Sequence, residues 1–462
     1  MSCTLLDAYQ LIHDGALALS VVEKTGIEVD VPYLDRMITE VGDEIREKKQ
    51  SLYDSDVWSM WRRQFGSEAN LGSRQQLGFV LFDLLGLQST AETKTGRKKI
   101  DETVLQSLDH PFTSDYLAIE KLKKLHGTYL KGIRSQVEGT RLHPFYSLHT
   151  TQTYRSSSQD PNFQNIPIRS PITGPIIRRA FIPREGYVLV EIDYAAIEVR
   201  IAACYHHDPT MIKYIHSGYD MHRDMAMECF KLKANQVSKG ARQTAKNGFV
   251  FPEFYGSYYS QVAPGMWNQM VRDKLTLPDG SLLVEHLADL GITRLGEASR
   301  DGATQPGTFM DHVKRVEQRF WGKRFPVYAR WREEWYREYM NTGRLQTLTG
   351  FVIDGAMKRN EVINYPVQGS AFHCLLWSLI RTVKLTLKRK MLSRVVGQIH
   401  DSMLLEVHQS EMADLLPAIR DIMCVAIRKV WPWIIVPLEI EMEASAVNWY
   451  EKKGISWDQA AI

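Results

Sequence analysis

VGQIHDSMLLEV, residues 396–407, sets a His-Asp pair between two apolar arms. Val395, Val396 and Ile399 read as one short strand, and Met403, Leu404, Leu405 and Val407 as a second. Asp and Ser between them favour a turn. An ionised aspartate without a partner costs several kcal/mol to bury, so Asp401 needs a reason to be there. One reading is a plain hairpin tip. The other is a turn that presents Asp401 to a metal ion, and that reading requires a second carboxylate elsewhere.

YVLVEIDYAAIEVR, residues 187–200, contains one. Val188, Val190 and Ile192 alternate with Leu189 and Glu191 up to Asp193, after which Ile197 and Ile201 stand four apart. Period 2 gives way to helical spacing, which predicts Asp193 where a strand ends and a helix begins. If the two strands are neighbours, Asp193 and Asp401 converge and repel unless a cation bridges them. Mg²⁺ suits that place, because it takes hard oxygen ligands, often one or two carboxylates plus substrate phosphates. Two such ions about 4 Å apart activate a hydroxyl and stabilise a leaving phosphate. A third stretch, RQTAKNGFVFPEFYG (242–256), puts Arg242 and Lys246 on one helical face with Phe249 three residues on. Such a group grips a triphosphate and stacks on a base. Taken alone, an exposed amphipathic helix explains it as well.

Composition narrows the classes. The chain has 462 residues, 44% hydrophobic, with 57 basic and 54 acidic side chains for a net charge of +3. That length holds more than one domain or a large multi-lobed unit, and the charge is too balanced to establish a nucleic-acid partner. Basic clusters at 94–99 and 242–248 could meet phosphates, although a basic cluster is usually a solvated face. No apolar run suggests a membrane span and no secretory signal is evident, so a cytoplasmic setting is expected. Cys3, Cys204, Cys229, Cys374 and Cys424 are scattered, as reduced thiols would be, with no zinc-site spacing. Along the chain, Leu5, Tyr9, Ile12, Ala16 and Leu19 fit one helical face ending at Gly26. Residues 34–90 and 113–138 read as helical, 143–200 as β-rich, and 206–345 as helical around a Gly/Pro/Asp-rich stretch near 276–309. A terminal strand is expected near 436–443. The pattern is α+β.

These motifs together resemble the family A DNA polymerases. YRSSSQDPNFQNIP (154–167) is similar to the family's arginine-led block. DYAAIEVR resembles its motif A, RQTAKNGFVFPEFYG its motif B and IHDS its motif C. DMHRDMA (220–226), NYPVQGSA (364–371), ALSVVEKTGIEVD and NLGSRQQLGFVLFDLLGL match further blocks in family order. The resemblance implies a right-hand polymerase fold, with an antiparallel-sheet palm and mainly helical thumb and fingers. It divides the chain into a palm base (1–45), thumb (46–140), palm (141–205), fingers (206–345, with an insertion about 261–310) and palm (346–462). It implies a monomer that adds deoxynucleoside triphosphates to a primer 3′-hydroxyl on primer-template DNA, with two Mg²⁺ ions that Mn²⁺ replaces.

The site residues carry over one by one. Asp193, Asp401 and the Tyr194 backbone carbonyl would hold the metals. Arg242, Lys246 and His222 would contact the triphosphate, with Lys246 donating a proton to the leaving pyrophosphate. Glu198 would select deoxyribose, and Tyr255 would lie by the templating base. Arg155, Asn162, Gln164, Asn165, Arg169, Asn364, Gln368 and His400 would touch DNA.

Several positions depart from the family. Ser402 stands where glutamate is usual, which removes a negative charge near the metals. Ala196 replaces a polar residue, and His373 replaces an acidic one. The span from Lys246 to Tyr255 is one residue longer than usual and contains Pro252. That predicts a kink or a one-residue bulge, with helix disfavoured at Phe251. Counting from Lys246 makes Phe249 the base-stacking ring; counting from Tyr255 makes it Phe251. The expected lobes use the whole chain, so neither a 3′–5′ exonuclease nor a 5′ nuclease is expected in it, and a separate exonuclease or other replication proteins would partner it. The rivals are a single-subunit RNA polymerase-like enzyme, against which Glu198 and QNIP argue, a non-catalytic primed-DNA-binding protein, and a two-metal nuclease, which leaves the triphosphate grip unexplained.

Overall fold

The computed structural model describes residues 3–455 except 90, 94, 95, 97, 169 and 171. Thr4 caps the first helix, α1 (Leu5–Thr25), and Gly26, with φ at +64°, ends it. Its inward face is Ala8, Leu11, Gly15, Ala18, Leu19 and Val22. This corrects the expected face: Leu5 and Tyr9 are 64% and 66% exposed. The reason is close packing on the long helix Arg359–Lys388, since a Cβ on Gly15 would lie 2.9 Å from a Leu376 methyl. Small residues, not large ones, mark the contact. α2 (Val31–Tyr53) is capped by Asp30 and packs on α3 (Pro111–Lys124). It runs unbroken through residue 45, so no element ends there. Around it a separate apolar cluster, including Leu52, Trp61, Leu81, Phe112 and Tyr116, forms its own small core. The basic cluster at 94–99 lies partly outside the described residues, because Lys94 and Arg97 are among those omitted.

The centre is a five-stranded antiparallel sheet. Its members are β1 (Tyr187–Tyr194), β2 (Arg394–Ile399), β3 (Ser402–His408), β4 (Ile440–Ser445) and β5 (Lys453–Gly454), in the spatial order β5-β4-β1-β3-β2. The terminal strand begins later than the expected 436, beyond Pro437, which has no N–H to give a ladder. β1 alternates as read: Val188, Val190 and Ile192 enter one apolar core, while Leu189 enters another on the opposite face. Met403, Leu405 and Val407 of β3 join the first core and Leu404 the second. Phe163 stacks on Trp449 at 5.4 Å and meets Phe181 edge-on, behind the sheet. β2 carries Gly397 there because a Cβ would come within 2.8 Å of the Phe163 ring.

After β1 the chain turns through Ala196, in the left-handed region at φ +51°, into α4 (Ile197–His206). There follow α5 (Met221–Phe230), α6 (Lys239–Ala245), α7 (Tyr259–Arg272), α8 (Phe309–Arg319), α9 (Pro326–Thr342) and α10 (Arg359–Lys388). Between α7 and α8 the chain forms turns, two isolated bridges and the short helix Leu283–Asp289. Among the described residues no helix is long and apolar enough to cross a membrane.

Candidate active site

Sheet register brings the two aspartates together. Ser402 of β3 pairs with Asp193 of β1, and the Tyr194 N–H donates to the Asp401 carbonyl at 3.4 Å. β1 thus carries Asp193 to its last turn of pleat, and the β2–β3 hairpin delivers Asp401 beside it. The hairpin loop is only two residues, His400 and Asp401, and His400 adopts the left-handed conformation at φ +48° that so tight a turn requires.

The turn is pinned from behind. Gln398 is buried, and its amide donates to the His400 carbonyl at 2.7 Å. Its oxygen accepts from Ser156 Oγ at 2.6 Å and from Gln164 Nε2 at 2.7 Å. The Gln398 backbone N–H donates to the Tyr146 hydroxyl at 3.0 Å. Gln164 is therefore an internal brace through its amide nitrogen, which also donates to Ser156 Oγ at 2.7 Å. Nothing in the hairpin's own sequence marked Gln398 except its polarity within an apolar strand.

Burial, then Asp401, Glu191 and Glu441, push the Asp193 carboxyl up to about 7. Burial also raises Asp401, and Arg155 partly offsets it. The Asp401 Oδ1 oxygen is buried with no hydrogen-bond partner; Arg155 Nη2 comes only to 3.8 Å. A carboxylate pair that raises one member's pKa and leaves the other an unsatisfied oxygen is a site built for positive charge. Among the described residues no three His, Cys, Asp or Glu side chains converge as a metal cluster.

Arg155 also pairs with Glu198 at 3.5 Å. The Tyr255 hydroxyl donates to the other Glu198 oxygen, and Asn364 Nδ2 donates to the Tyr255 carbonyl at 2.9 Å. Burial and the neighbouring Asp401 raise Glu198 against the Tyr255 hydrogen bond and Arg155. Gln368 lies one helical turn beyond Asn364 on α10 and is half-buried.

The cationic cluster stands on α5 and α6. Asp220, the cap of α5, accepts from Arg242 Nε at 2.9 Å and holds that guanidinium in place. His222 is pushed down to about 4 by burial, then by Lys246 and Arg242, and its Nδ1 is buried without a partner. Lys246 Nζ lies 5.3 Å from the centre of the Phe251 ring, and that ring meets His222 edge-on at 5.6 Å.

The expected bulge is a π-turn over Lys246–Val250, where the Phe251 N–H bonds the Lys246 carbonyl. Phe251 nonetheless keeps helical angles, φ −66° and ψ −47°, which corrects the expectation that Pro252 disfavours helix there. Pro252 falls in the first turn of the short helix Phe251–Phe254, where a missing N–H is tolerated. The two rings stand two residues apart and point to different sides of the helix. Phe249 is fully buried, edge-on to Phe320 at 5.3 Å, so it does not face the cleft. Phe251 is half-buried beside Lys246, His222 and Tyr255.

Asn162 and Asn165 are exposed on the turn Phe163–Asn165 and its cap, and Arg169 lies outside the described residues. His373 is buried against Phe351, bonded to Thr349 Oγ1 at 2.7 Å, and takes no part in the cleft.

Comparison with known proteins extends this geometry. A family model described as DNA polymerase family A matches residues 33–268 and 321–451. The unmatched interval, 269–320, overlaps the segment expected to be an insertion. The thermostable DNA polymerase I of Thermus thermophilus is 30% identical over 452 residues, covering 94% of this chain and 47% of that protein. DNA polymerase I of Lactococcus lactis is 29% identical over 455 residues, covering 95% of this chain and 45% of its own. Among solved structures, the POL domain of Pol1 from M. smegmatis, in complex with DNA primer-template and dNTP, superposes with a TM-score of 0.74 at 26% identity, covering 95% of this chain and 70% of that one. The chain spans about half the length of the curated relatives it matches.

Proposed function

This chain belongs to DNA polymerase family A, and from that premise we propose that it extends a DNA primer on a template strand, adding deoxynucleoside monophosphates from their triphosphates. In this reading it works in the cytoplasm of a bacterial cell or a phage-infected host. One observation carries the proposal most directly: Asp193 and Asp401, far apart in sequence, meet through β1–β3 pairing and leave an unsatisfied carboxylate oxygen in the cleft. The surrounding groups fit divalent metal. Asp193 and Asp401 are hard oxygen donors, one of them with an unsatisfied oxygen, and with the Tyr194 carbonyl they would hold two Mg²⁺ ions, or Mn²⁺ in their place. Such ions, when bound, supply the positive charge that acidifies a hydroxyl and neutralises a leaving phosphate.

The chain's own residues do the rest. The primer 3′-oxygen bonds to the α-phosphorus as the bond to the pyrophosphate oxygen breaks. Arg242, fixed by Asp220, and Lys246 grip the triphosphate. Neutral His222 adds a hydrogen bond without adding charge. Lys246 supplies a proton to the departing pyrophosphate. Phe251, half-exposed beside Lys246, gives the incoming base a face to stack on. Glu198, held by Tyr255 and Arg155, fills the space below the sugar where a 2′-hydroxyl would go. Arg155, Asn364, Gln368 and His400 meet the primer terminus, and Asn162 and Asn165 the duplex. By region, α1 supports the palm, the cluster around Trp61 belongs to the thumb, and α5 to α9 lie in the fingers.

Primer extension on primed DNA with Mg²⁺ tests this. Deoxynucleotides are expected to extend the primer and ribonucleotides are not. Tight binding of primed DNA without extension would sink the catalytic reading, and equal use of ribonucleotides would favour an RNA polymerase-like enzyme.

A further inference from the structure

Behind the two aspartates lies a third carboxylate that the reaction above does not use. Glu191 stands two residues before Asp193 on β1 and therefore on the same face of the sheet. One of its oxygens accepts from Ser402 Oγ at 3.1 Å. The other accepts from the Trp449 indole N–H at 2.8 Å and pairs with Lys452 at 2.6 Å. Ser402 is the residue directly after Asp401 and directly opposite Asp193, and its hydroxyl is 3.0 Å from the Ile399 carbonyl across the turn. Glu191 thus reaches both strands of the site through one hydroxyl.

The geometry points to Glu191 as a positioning residue of the two-aspartate site: it supplies from β1 the acidic charge that Ser402 does not carry in the turn, and it fixes the turn through the Ser402 hydroxyl. This rests on the polymerase reading of that site.

The charges around it favour this role. Glu441 faces Asp193 from β4, and Glu443 faces Glu191. Against them stand Lys452, shared between Glu191 and Glu443, and Arg178, stacked on Trp449 at 3.9 Å. Arg155, 3.8 Å from Asp401, is the cation beside the pair itself. Carboxylates gathered in this way draw cations. A structural role is the alternative, since Glu191 also ties that C-terminal segment to the sheet. The two roles separate by charge, because a glutamine keeps much of the hydrogen bonding and none of the field.

The test is Mn²⁺ titrated into the full chain on a dideoxy-terminated primer-template, with free Mn²⁺ read by electron paramagnetic resonance. Asp401→Ala serves as the control. Glu191→Gln is expected to weaken Mn²⁺ binding on the order of tenfold, as removal of a group behind a metal ligand does, while primer-template binding is unchanged. Glu191→Ser combined with Ser402→Glu, which moves the charge into the turn, is expected to restore it. Ser402→Ala keeps every charge and covers the case in which a Glu191 variant fails to fold; it is expected to weaken Mn²⁺ binding by about threefold, less than loss of the carboxylate itself brings. Mn²⁺ binding that depends on Asp401 but is unchanged in Glu191→Gln and Ser402→Ala overturns this inference alone. Wild-type binding indifferent to Asp401→Ala overturns the polymerase site reading together with it.

Discussion

The β2–β3 turn and the α6 segment that follows it into the π-turn face one cleft, yet they place their functional groups by opposite means. In the turn, Ile399 and Ser402 pair directly across the loop, and Gln398 braces the two loop residues from beneath. Asp401 has no freedom to search for a partner, and its Oδ1 oxygen has no hydrogen bond. In the helical segment, the chain widens into a π-turn over Lys246–Val250 without ending the helix. There Arg242 takes its position from an ion pair with Asp220, and Lys246 sits over an aromatic ring. A sheet fixes chemistry by register, and a helix end fixes it by rotation. An insertion into β3 would turn Asp401 to the other face, whereas the insertion in the helix changed which phenylalanine is presented.

The sharpest way to break the comparison is to remove one group from each side. Asp401→Ala is expected to lower single-turnover extension by several kcal/mol of transition-state stabilisation, on the order of 10³-fold or more, with primed DNA still bound. Lys246→Ala is expected to lose less, on the order of 10²-fold, because it assists proton transfer and charge neutralisation. Equal losses would deny the palm its separate role. The two rings come next. Phe249→Ala is expected to destabilise the chain by about 3–5 kcal/mol in chemical denaturation, because it empties a closed core position. Phe251→Ala should leave the midpoint nearly unchanged and raise KM for nucleotide. The reverse pattern would return Phe249 to the site.

Gln398→Ala probes the brace itself. It leaves Ser156, Gln164 and the His400 carbonyl short of a partner, a loss of about 1–3 kcal/mol of stability. With the turn loosened, kcat is expected to fall roughly tenfold while KM holds, short of the 10²-fold that a full ångström of misplacement brings. A fall in KM terms alone would show the turn to be rigid without it.

The smallest effect is in pH. The fold keeps a proton on Asp193 up to about pH 7, while an unfolded chain loses it near the ordinary value of 3.8. The folded state therefore binds more protons across that interval, and this group's contribution to stability declines as pH rises from about 4 to about 7, then levels. In chelator, Asp193→Asn removes that decline, so its Tm advantage over wild type should be absent near pH 3, grow to pH 7 and stay constant at pH 8. The advantage is small, because the Asp193 carboxylate opens to water, which screens it. A difference independent of pH would assign the effect to something other than the paired carboxylates.

Much of this was legible in the chain. Alternation in 187–193 marked β1, and the apolar runs on either side of His400 and Asp401 marked β2 and β3, because such side chains must be buried. The switch to helical spacing after Asp193 placed the first carboxylate, and Pro252, with a span one residue longer than the resembled family's, pointed to a bulge. Local sequence determines such things because hydrophobic period and proline chemistry act over a few residues. What it left open was decided by partners distant in sequence. The inward face of α1 turns on how near Leu376 comes to Gly15. Gln164 became a brace because Gln398 met it across the molecule. The choice of Phe251 over Phe249 required a rotation that the count of residues does not give. Glu191 reads in the sequence as one polar residue in a strand; only the meeting of β1 with Ser402, Trp449 and Lys452 gives its charge an address, because register and long-range packing are properties of the assembled sheet.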